Sequence, residues 1–174
     1  MSLYNGENQK MTSALYAKNR FLTAGDNLQI IADRITRNDD LCKLLTRYTS
    51  DVMKDAKQVT AAERAEVFQK RIRTVATLPK DDEVGAFIVI GIGSITPMGA
   101  GLSYNISFDV LCNTDVWNLE DYTARPYYIM NEIDWMLSDT KMKGIGPTAF
   151  LGAAPIKINE KLLGYTMLFN VGEI

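Results

Sequence analysis

Residues 86–113 read AFIVIGIGSITPMGAGLSYNISFDVLCN, and this stretch decides the fold. Its first five residues are apolar and largely β-branched, without polar alternation, which predicts a central strand covered on both faces. Apolar and polar residues alternate over residues 104–113, which predicts a strand with one face toward water. Four glycines and Pro97 separate the two runs in residues 91–101. They predict a flexible tip that joins the strands as a long hairpin.

The residues after this hairpin predict one helix and two further strands. In RPYYIMNEIDWML, residues 125–137, Pro126 suits the first helical position. Strands are expected over residues 148–158 and 162–171, joined across Asn159-Glu160-Lys161. Apolar residues recur at helical spacing in the helix, at Ile129, Met130, Ile133, Met136 and Leu137.

Three helices are predicted upstream of the sheet. Apolar stripes of helical spacing begin at Asp26 and at Leu41, and the gap between them is short enough for a helical hairpin. Thr60 and Glu63 fit a capping box, so a third helix is expected to start there and to end before Pro79. The apolar face of that helix would comprise Val67, Phe68, Ile72 and Val75.

The predicted fold class is therefore α+β. An N-terminal helical segment precedes a mainly antiparallel sheet with one packed helix, in the order β-β-α-β-β. The chain divides into a polar N-terminal arm (residues 1–25), a helical segment (26–80) and an α+β domain (81–174).

Composition excludes most catalytic chemistry. The chain has 174 residues, 47% hydrophobic and 23% charged, which is typical of a soluble globular protein. It contains no histidine, the usual general base and transition-metal ligand near neutral pH. Cys42 and Cys112 lack metal-binding spacing and are interpreted as small buried side chains. We expect no catalytic residue, cofactor or metal, and a structural or assembly protein rather than an enzyme.

Two patterns that resemble ligand sites fall short of their motifs. Gly91-Ile92-Gly93-Ser94 follows an apolar strand but lacks the third glycine of a dinucleotide-binding loop. The acidic pairs Asp81-Asp82 and Glu120-Asp121 would hold magnesium only if the fold brought carboxylates together. No apolar stretch reaches the roughly 18 residues of a membrane span, so no membrane contact is expected.

Charge is distributed unevenly along the chain. The net charge is −2, but residues 1–80 carry +5 and residues 81–174 carry −7. Opposite charge on the two halves suits head-to-tail contacts between copies. The helix expected over residues 60–75 is the most basic one, which leaves a nucleic-acid-binding accessory protein as the alternative function.

Two groups of residues are candidates for contact with partners. The glycine-rich hairpin tip carries apolar residues that core packing explains poorly, although a purely connecting loop is an equal alternative. Aromatic residues between the second strand and the following helix are expected as a surface pair, because such residues are common at interface hot spots. The candidate interface residues are Ser94, Ile95, Met98 and Leu102 in the first group, and Trp117 and Tyr122 in the second.

The second half of the chain, about residues 84–174, resembles the tail-terminator and related neck proteins of long-tailed bacteriophages. The similarity rests on the order of four pieces: the strand YNISFDVLCN, the helix RPYYIMNEIDWML, the segment GIGPTAFLG and the closing GYTMLFNV. The helical and basic front of the chain departs from a minimal tail terminator, which leaves a connector or collar position open.

The resemblance implies a structural role in virion assembly. Domains of this kind form hexameric rings, so residues 81–174 would be the ring-forming domain. The ring would cap the tail tube and join it to the head connector. Its partners would be other copies of the chain, tail-tube proteins and head-connector proteins, with passing contact to DNA. The implied location is the virion, after synthesis in the host cytoplasm.

Overall fold

A computed structural model of the chain describes residues 22, 24–74, 79–80, 83–98, 101–120, 123–138 and 147–172. The polar arm expected over residues 1–25 therefore lies almost entirely outside the described residues. The helices are α1 (residues 24–37), α2 (Asp39–Thr46), α3 (Ala61–Glu66) and α4 (Arg125–Ser138). The strands are β1 (Ile72–Arg73), β2 (Ala86–Met98), β3 (Gly101–Asn113), β4 (Thr148–Lys157) and β5 (Leu162–Gly172).

The five strands form one sheet in the order β1-β2-β3-β5-β4. Every pair is antiparallel except β1 with β2, which is parallel and only two residues long. Helices precede the sheet, and α4 lies between β3 and β4 in the chain. The α+β class and the mainly antiparallel sheet with its packed helix are thus confirmed.

One hydrophobic core joins the helical segment to the sheet. Ile31 and Leu44 from the helices are fully buried together with Ile90, Phe108 and Phe169 from the strands. The two phenylalanine rings meet edge to face with their centroids 5.7 Å apart. Helices α1, α2 and α4 therefore cover one face of the sheet.

The first part of β2 is buried on both faces, as the apolar run 86–90 predicts. Phe87 and Val89 belong to a second small cluster with Leu111 and Leu162. Because successive side chains in a strand point to opposite faces, this cluster lies on the face away from the helices. In the part of β3 that precedes Leu111 the same face is polar, and Asn105, Ser107 and Asp109 are partly exposed. The predicted wet face is therefore confirmed for this part of the strand.

The third helix ends earlier than its apolar spacing predicts. A π-helical turn over Val67–Arg71 follows α3, and Ile72 then enters β1, opposite Ile88 of β2. Phe68, expected on the buried face, is 47% exposed, and Val75 lies outside the described residues. The helical spacing fails here because pairing with β2 buries Ile72 better than another helical turn would.

The glycine-rich hairpin tip is also shorter than expected. Strand β2 continues to Met98 and β3 begins at Gly101, so most of residues 91–101 lie in the strand ladder. A register shift between Ile92 and Ile95 is the one irregularity in the pairing of these two strands. The prediction of a mobile loop was therefore wrong for residues 91–98, since backbone pairing with β3 outweighs the low strand propensity of glycine.

Candidate interaction surface

Strand β4 forms one edge of the sheet and exposes an uncharged surface. It pairs with β5, and no other strand of the described part of the chain lies beside it. Residues 148–156 read TAFLGAAPI, without a charged side chain. Phe150 and Leu151 are 49% and 55% exposed. Soluble proteins usually protect edge strands with charges, so a long uncharged edge is a ready template for pairing with another chain.

A bulge and a proline shape this edge. The register of β4 on β5 shifts between Phe150 and Gly152, and Gly152 adopts a φ of 152°, with no atom within 4 Å of where a Cβ would lie. Pro155 lacks a backbone N–H and so removes one donor from the strand. Bulges re-aim side chains and end strand pairing locally. Any strand that pairs with β4 must therefore match a particular register.

An aromatic group lies beside β4 on the helix-covered face. Tyr127 of α4 is 54% exposed, and its Oη lies 2.6 Å from the Oη of Tyr165 in β5. This hydrogen bond raises the pKa of Tyr165. Pro155 lies opposite Tyr165 in the strand register, and the ring of Phe150 packs 5.3 Å from that of Phe169. We call these exposed or partly exposed residues the β4 surface: Tyr127, Phe150, Leu151, Pro155 and Tyr165.

One pattern in the sequence indicates the β4 surface. A half-buried antiparallel strand normally alternates apolar and polar residues, and TAFLGAAPI does not. A run this apolar indicates either a fully buried strand or an exposed apolar edge. Because β4 is the last strand of the sheet, the run forms an exposed apolar edge. The contact between Tyr127 and Tyr165 joins residues 38 positions apart, which no local pattern reveals.

The four candidate interface residues of the hairpin lie together in the distal part of β2 and β3. Ser94 is exposed and Ile95 partly exposed, and both lie in β2. Ile95 packs against the main core, so its side chain is partly accounted for by core packing. Met98 is the last residue of β2, and Leu102 lies in β3 opposite Pro97. The pairing of β2 with β3 therefore holds these four residues near one another.

The two aromatic candidates after β3 are not part of this group. Trp117 is partly buried and packs against the main core, and its carbonyl accepts a hydrogen bond of 2.8 Å from the backbone of Arg125. Tyr122 lies outside the described residues. Since Trp117 follows the C-terminal end of β3 and Leu102 lies near its start, the fold keeps them at opposite ends of this strand.

Three of the four basic residues in the helix expected over residues 60–75 form ion pairs within the protomer. Arg64 pairs with Asp39, Arg71 with Glu66 at 2.7 Å, and Arg73 with Glu83 at 2.9 Å. Ion pairing with carboxylates reduces the charge available to a phosphate backbone. These pairs weaken the case for nucleic-acid binding by this segment.

The residues considered for ligand or metal chemistry are not brought together as sites. Glu120 pairs with Lys54, whereas Asp81, Asp82 and Asp121 lie outside the described residues. Within the described ranges, no group of three or more Cys, Asp or Glu residues could hold a metal ion. Gly91 and Gly93 lie inside β2, so they do not form a loop that leads into a helix.

The two cysteines are buried, as the sequence indicates. Cys42 and Cys112 are both free thiols with no accessible surface. Burial raises the pKa of Cys42 to about 11 and that of Cys112 to about 12. Both thiols therefore stay protonated and unreactive near neutral pH.

Comparison with known proteins adds one finding. The model of the YomW family matches residues 38–171. The chain belongs to the YomW family. This is a phage-type family. Its matched range begins at Asn38, whose side chain caps α2, and takes in α4 and the five described strands apart from Gly172, the last residue of β5. The β4 surface therefore lies within the YomW match, whereas α1 precedes it.

The other comparisons returned no relative. No curated protein and no solved structure matches the chain. As to membranes, none of the helices in the described ranges is both long and apolar enough to span a bilayer.

Proposed function

We propose that the protein is a structural component of the neck of a tailed phage. In this role it is a tail terminator whose copies form a ring that caps the tail tube and joins it to the head connector. Membership of a phage-type family supports a phage role. The resemblance of residues 84–174 to neck proteins supports the position in the virion. The protein acts through its surfaces and not as an enzyme.

The observation that carries the proposal is the uncharged, exposed edge of β4. A stable monomer would gain from charges on this strand, because an unprotected edge invites pairing with other chains. An assembly protein needs such an edge. The bulge at Gly152 and the proline at position 155 restrict the registers in which another strand can pair with β4, which favours a defined neighbour over unspecific aggregation.

Electron microscopy of the purified protein, combined with a tail-tube assembly reaction, tests the proposal. We expect closed rings, and tubes whose growth stops when the protein is added. A chain that sediments as a monomer at high concentration and leaves tube growth unchanged would refute this function.

A pair of variants links the assembly to the β4 surface. The double variant Phe150→Ser with Leu151→Ser should fold but lose rings and tube capping, because it removes the exposed apolar side chains of β4. Trp135→Ser is the matched control, since Trp135 is 62% exposed but lines a cleft with Arg37 and Asn38 instead. Equal loss of assembly in both variants would speak against the β4 surface.

A further inference from the structure

The sheet has a second open edge, on β2. Strand β1 covers β2 only at Ile88 and Val89. Beyond Val89, β2 pairs with β3, and no other strand of the described part of the chain lies along its second side. Residues 90–98 read IGIGSITPM, again without a charged side chain. Within the described residues, one sheet therefore has two long edges without a neighbouring strand, at its opposite sides.

We propose that β4 of one copy pairs with residues 90–98 of β2 in a second copy, as antiparallel strands. This inference rests on the proposed ring function and names the contact that closes the ring. The sheet then runs from protomer to protomer, with the incoming β4 in line with β1 along the edge of β2. In this arrangement the backbone N–H and C=O groups on the outer side of β4 and on the second side of β2 pair with each other.

Strand directions support this pairing. Within one chain β2 and β3 are antiparallel, β3 and β5 are antiparallel, and β5 and β4 are antiparallel. Strand β4 therefore runs opposite to β2. Copies related by rotation about an axis near the strand direction keep these directions. The β4 of one copy then meets the β2 of the next in the antiparallel sense, the more stable of the two ladders.

The two edges also match in length and in charge. Strand β4 has 10 residues, and it and the open part of β2 each extend roughly 30 Å at about 3.4 Å per residue. Apart from Lys157 at the end of β4, neither edge carries a charged side chain, so pairing over residues 148–156 and 90–98 avoids the desolvation cost of unpaired charge.

Pairing of β4 with the β4 of a second copy is the competing arrangement. It would produce a dimer with twofold symmetry and leave the open part of β2 without a partner in every copy. Pairing of β4 with β2 is head to tail, uses both edges of each copy, and closes into a ring when the rotation permits. Ser94, Ile95 and Met98 lie on this open part of β2, which gives these candidate interface residues a specific partner.

Mixing two blocked variants distinguishes the arrangements. The first variant, Leu151→Asp with Ala153→Asp, places charge on the exposed edge of β4. The second, Ser94→Asp with Thr96→Asp, places charge on exposed positions of β2. Each variant alone should be a monomer by sedimentation velocity. An equimolar mixture should form a heterodimer and nothing larger, because one intact β4 and one intact β2 remain between the two chains.

Several outcomes would overturn the pairing. A second variant that dimerises by itself would show that β4 pairs with β4, and a mixture that stays monomeric would show that the two edges do not meet. Rings that persist in both variants would refute the pairing but leave the proposed function standing. A wild-type chain that neither associates nor caps tubes would refute both. Circular dichroism checks folding, and Ala153→Lys and Thr96→Glu serve as single replacements if a double variant unfolds.

Discussion

Arg125 shows no accessible surface, and its guanidinium donates hydrogen bonds to four backbone carbonyl oxygens. Its Nε donates to Val116 at 2.8 Å, and its Nη atoms donate to Leu44, Arg47 and Thr49 at 2.8, 2.9 and 3.1 Å. Burial lowers the pKa of this guanidinium. Arg125 thus ties the start of α4 to the end of α2. The sequence could not indicate this, since carbonyl acceptors leave no side-chain pattern.

A stack of cations and aromatic rings continues from Arg125 to the sheet. The guanidinium carbons of Arg125 and Arg71 lie 5.9 and 5.5 Å from the ring centre of Tyr48. Arg71 also lies 5.2 Å from the ring of Phe87. Such contacts add stability when the cation is partly desolvated. Gly85 lies against this stack, because a Cβ there would overlap the Arg71 guanidinium and approach Tyr48 Oη to 2.8 Å.

Gly85→Ala should therefore destabilise the protein. Gly85 has a φ of 152°, a conformation that costs a residue with a side chain about 1–3 kcal/mol, and the added methyl group would displace Arg71. Urea unfolding followed by circular dichroism measures the change. Gly93→Ala, in β2, is the matched control, since its Cβ would meet only ordinary contacts at 3.6 and 3.7 Å. Equal stability of the two variants would contradict this account.

At the start of α3, the sequence correctly predicts the hydrogen bonds of the N-terminal cap. Thr60 Oγ1 accepts from the backbone N–H of Glu63 at 3.2 Å, and Glu63 Oε2 accepts from the backbone N–H of Thr60 at 2.7 Å, so the capping box is confirmed. The sequence did not reveal that Arg47 Nε donates to Glu63 Oε1 at 2.7 Å. This contact joins the cap to the residue that follows α2. Arg47 and Glu63 are 16 positions apart, so a capping motif of four residues cannot indicate their contact.

Glu63→Gln tests this junction through its pH dependence. The hydrogen bond from Arg47, helped by that from Thr60, lowers the pKa of Glu63 from 4.5 to about 2. The folded state therefore gains stability from the carboxylate above pH 4.5, and this gain is lost as the pH falls toward 2. The variant keeps the cap geometry but loses the ion pair, so it should be less stable by about 1 kcal/mol at pH 7.

The stability difference between Glu63→Gln and wild type should shrink as the pH falls from 4.5 toward 2. Urea unfolding at several pH values measures it. Glu160→Gln, at an exposed position in the β4–β5 turn, is the control and should match wild type throughout. A difference that stays constant across this range would show that the ion pair does not stabilise the junction.

For the molecule as a whole, the spacing of apolar residues in the sequence predicts which side chains enter the core. The alternation over residues 104–112 places Tyr104, Phe108 and Cys112 in the core. The position of β4 at an edge was not predictable, because strand order in a sheet depends on contacts far apart in sequence. The interface candidates on the hairpin remain predictions, and the structure places Ser94, Ile95 and Met98 in β2 and Leu102 in the central strand β3 instead of in a loop tip.

Folding brings some opposite charges of the two halves of the sequence together within one protomer. Lys54 pairs with Glu120, and Arg73 with Glu83, so positive residues of the first half meet negative residues of the second within one protomer. Other cations of the first half pair locally, such as Arg47 with Glu63. Contacts between copies would then depend on the two uncharged edges and on backbone hydrogen bonds.

Ring assembly should accordingly be nearly insensitive to salt. Exposed charges are screened beyond about 10 Å at 0.1 M salt, so an interface held by complementary charge weakens steeply as salt is added, whereas paired uncharged strands do not. Between about 0.05 and 0.5 M sodium chloride, we expect the dissociation constant between copies to change by less than about threefold. Sedimentation equilibrium across this range measures it. Weakening by about tenfold or more would instead show that the opposite charges of the two halves, and not the strand edges, hold neighbouring copies together.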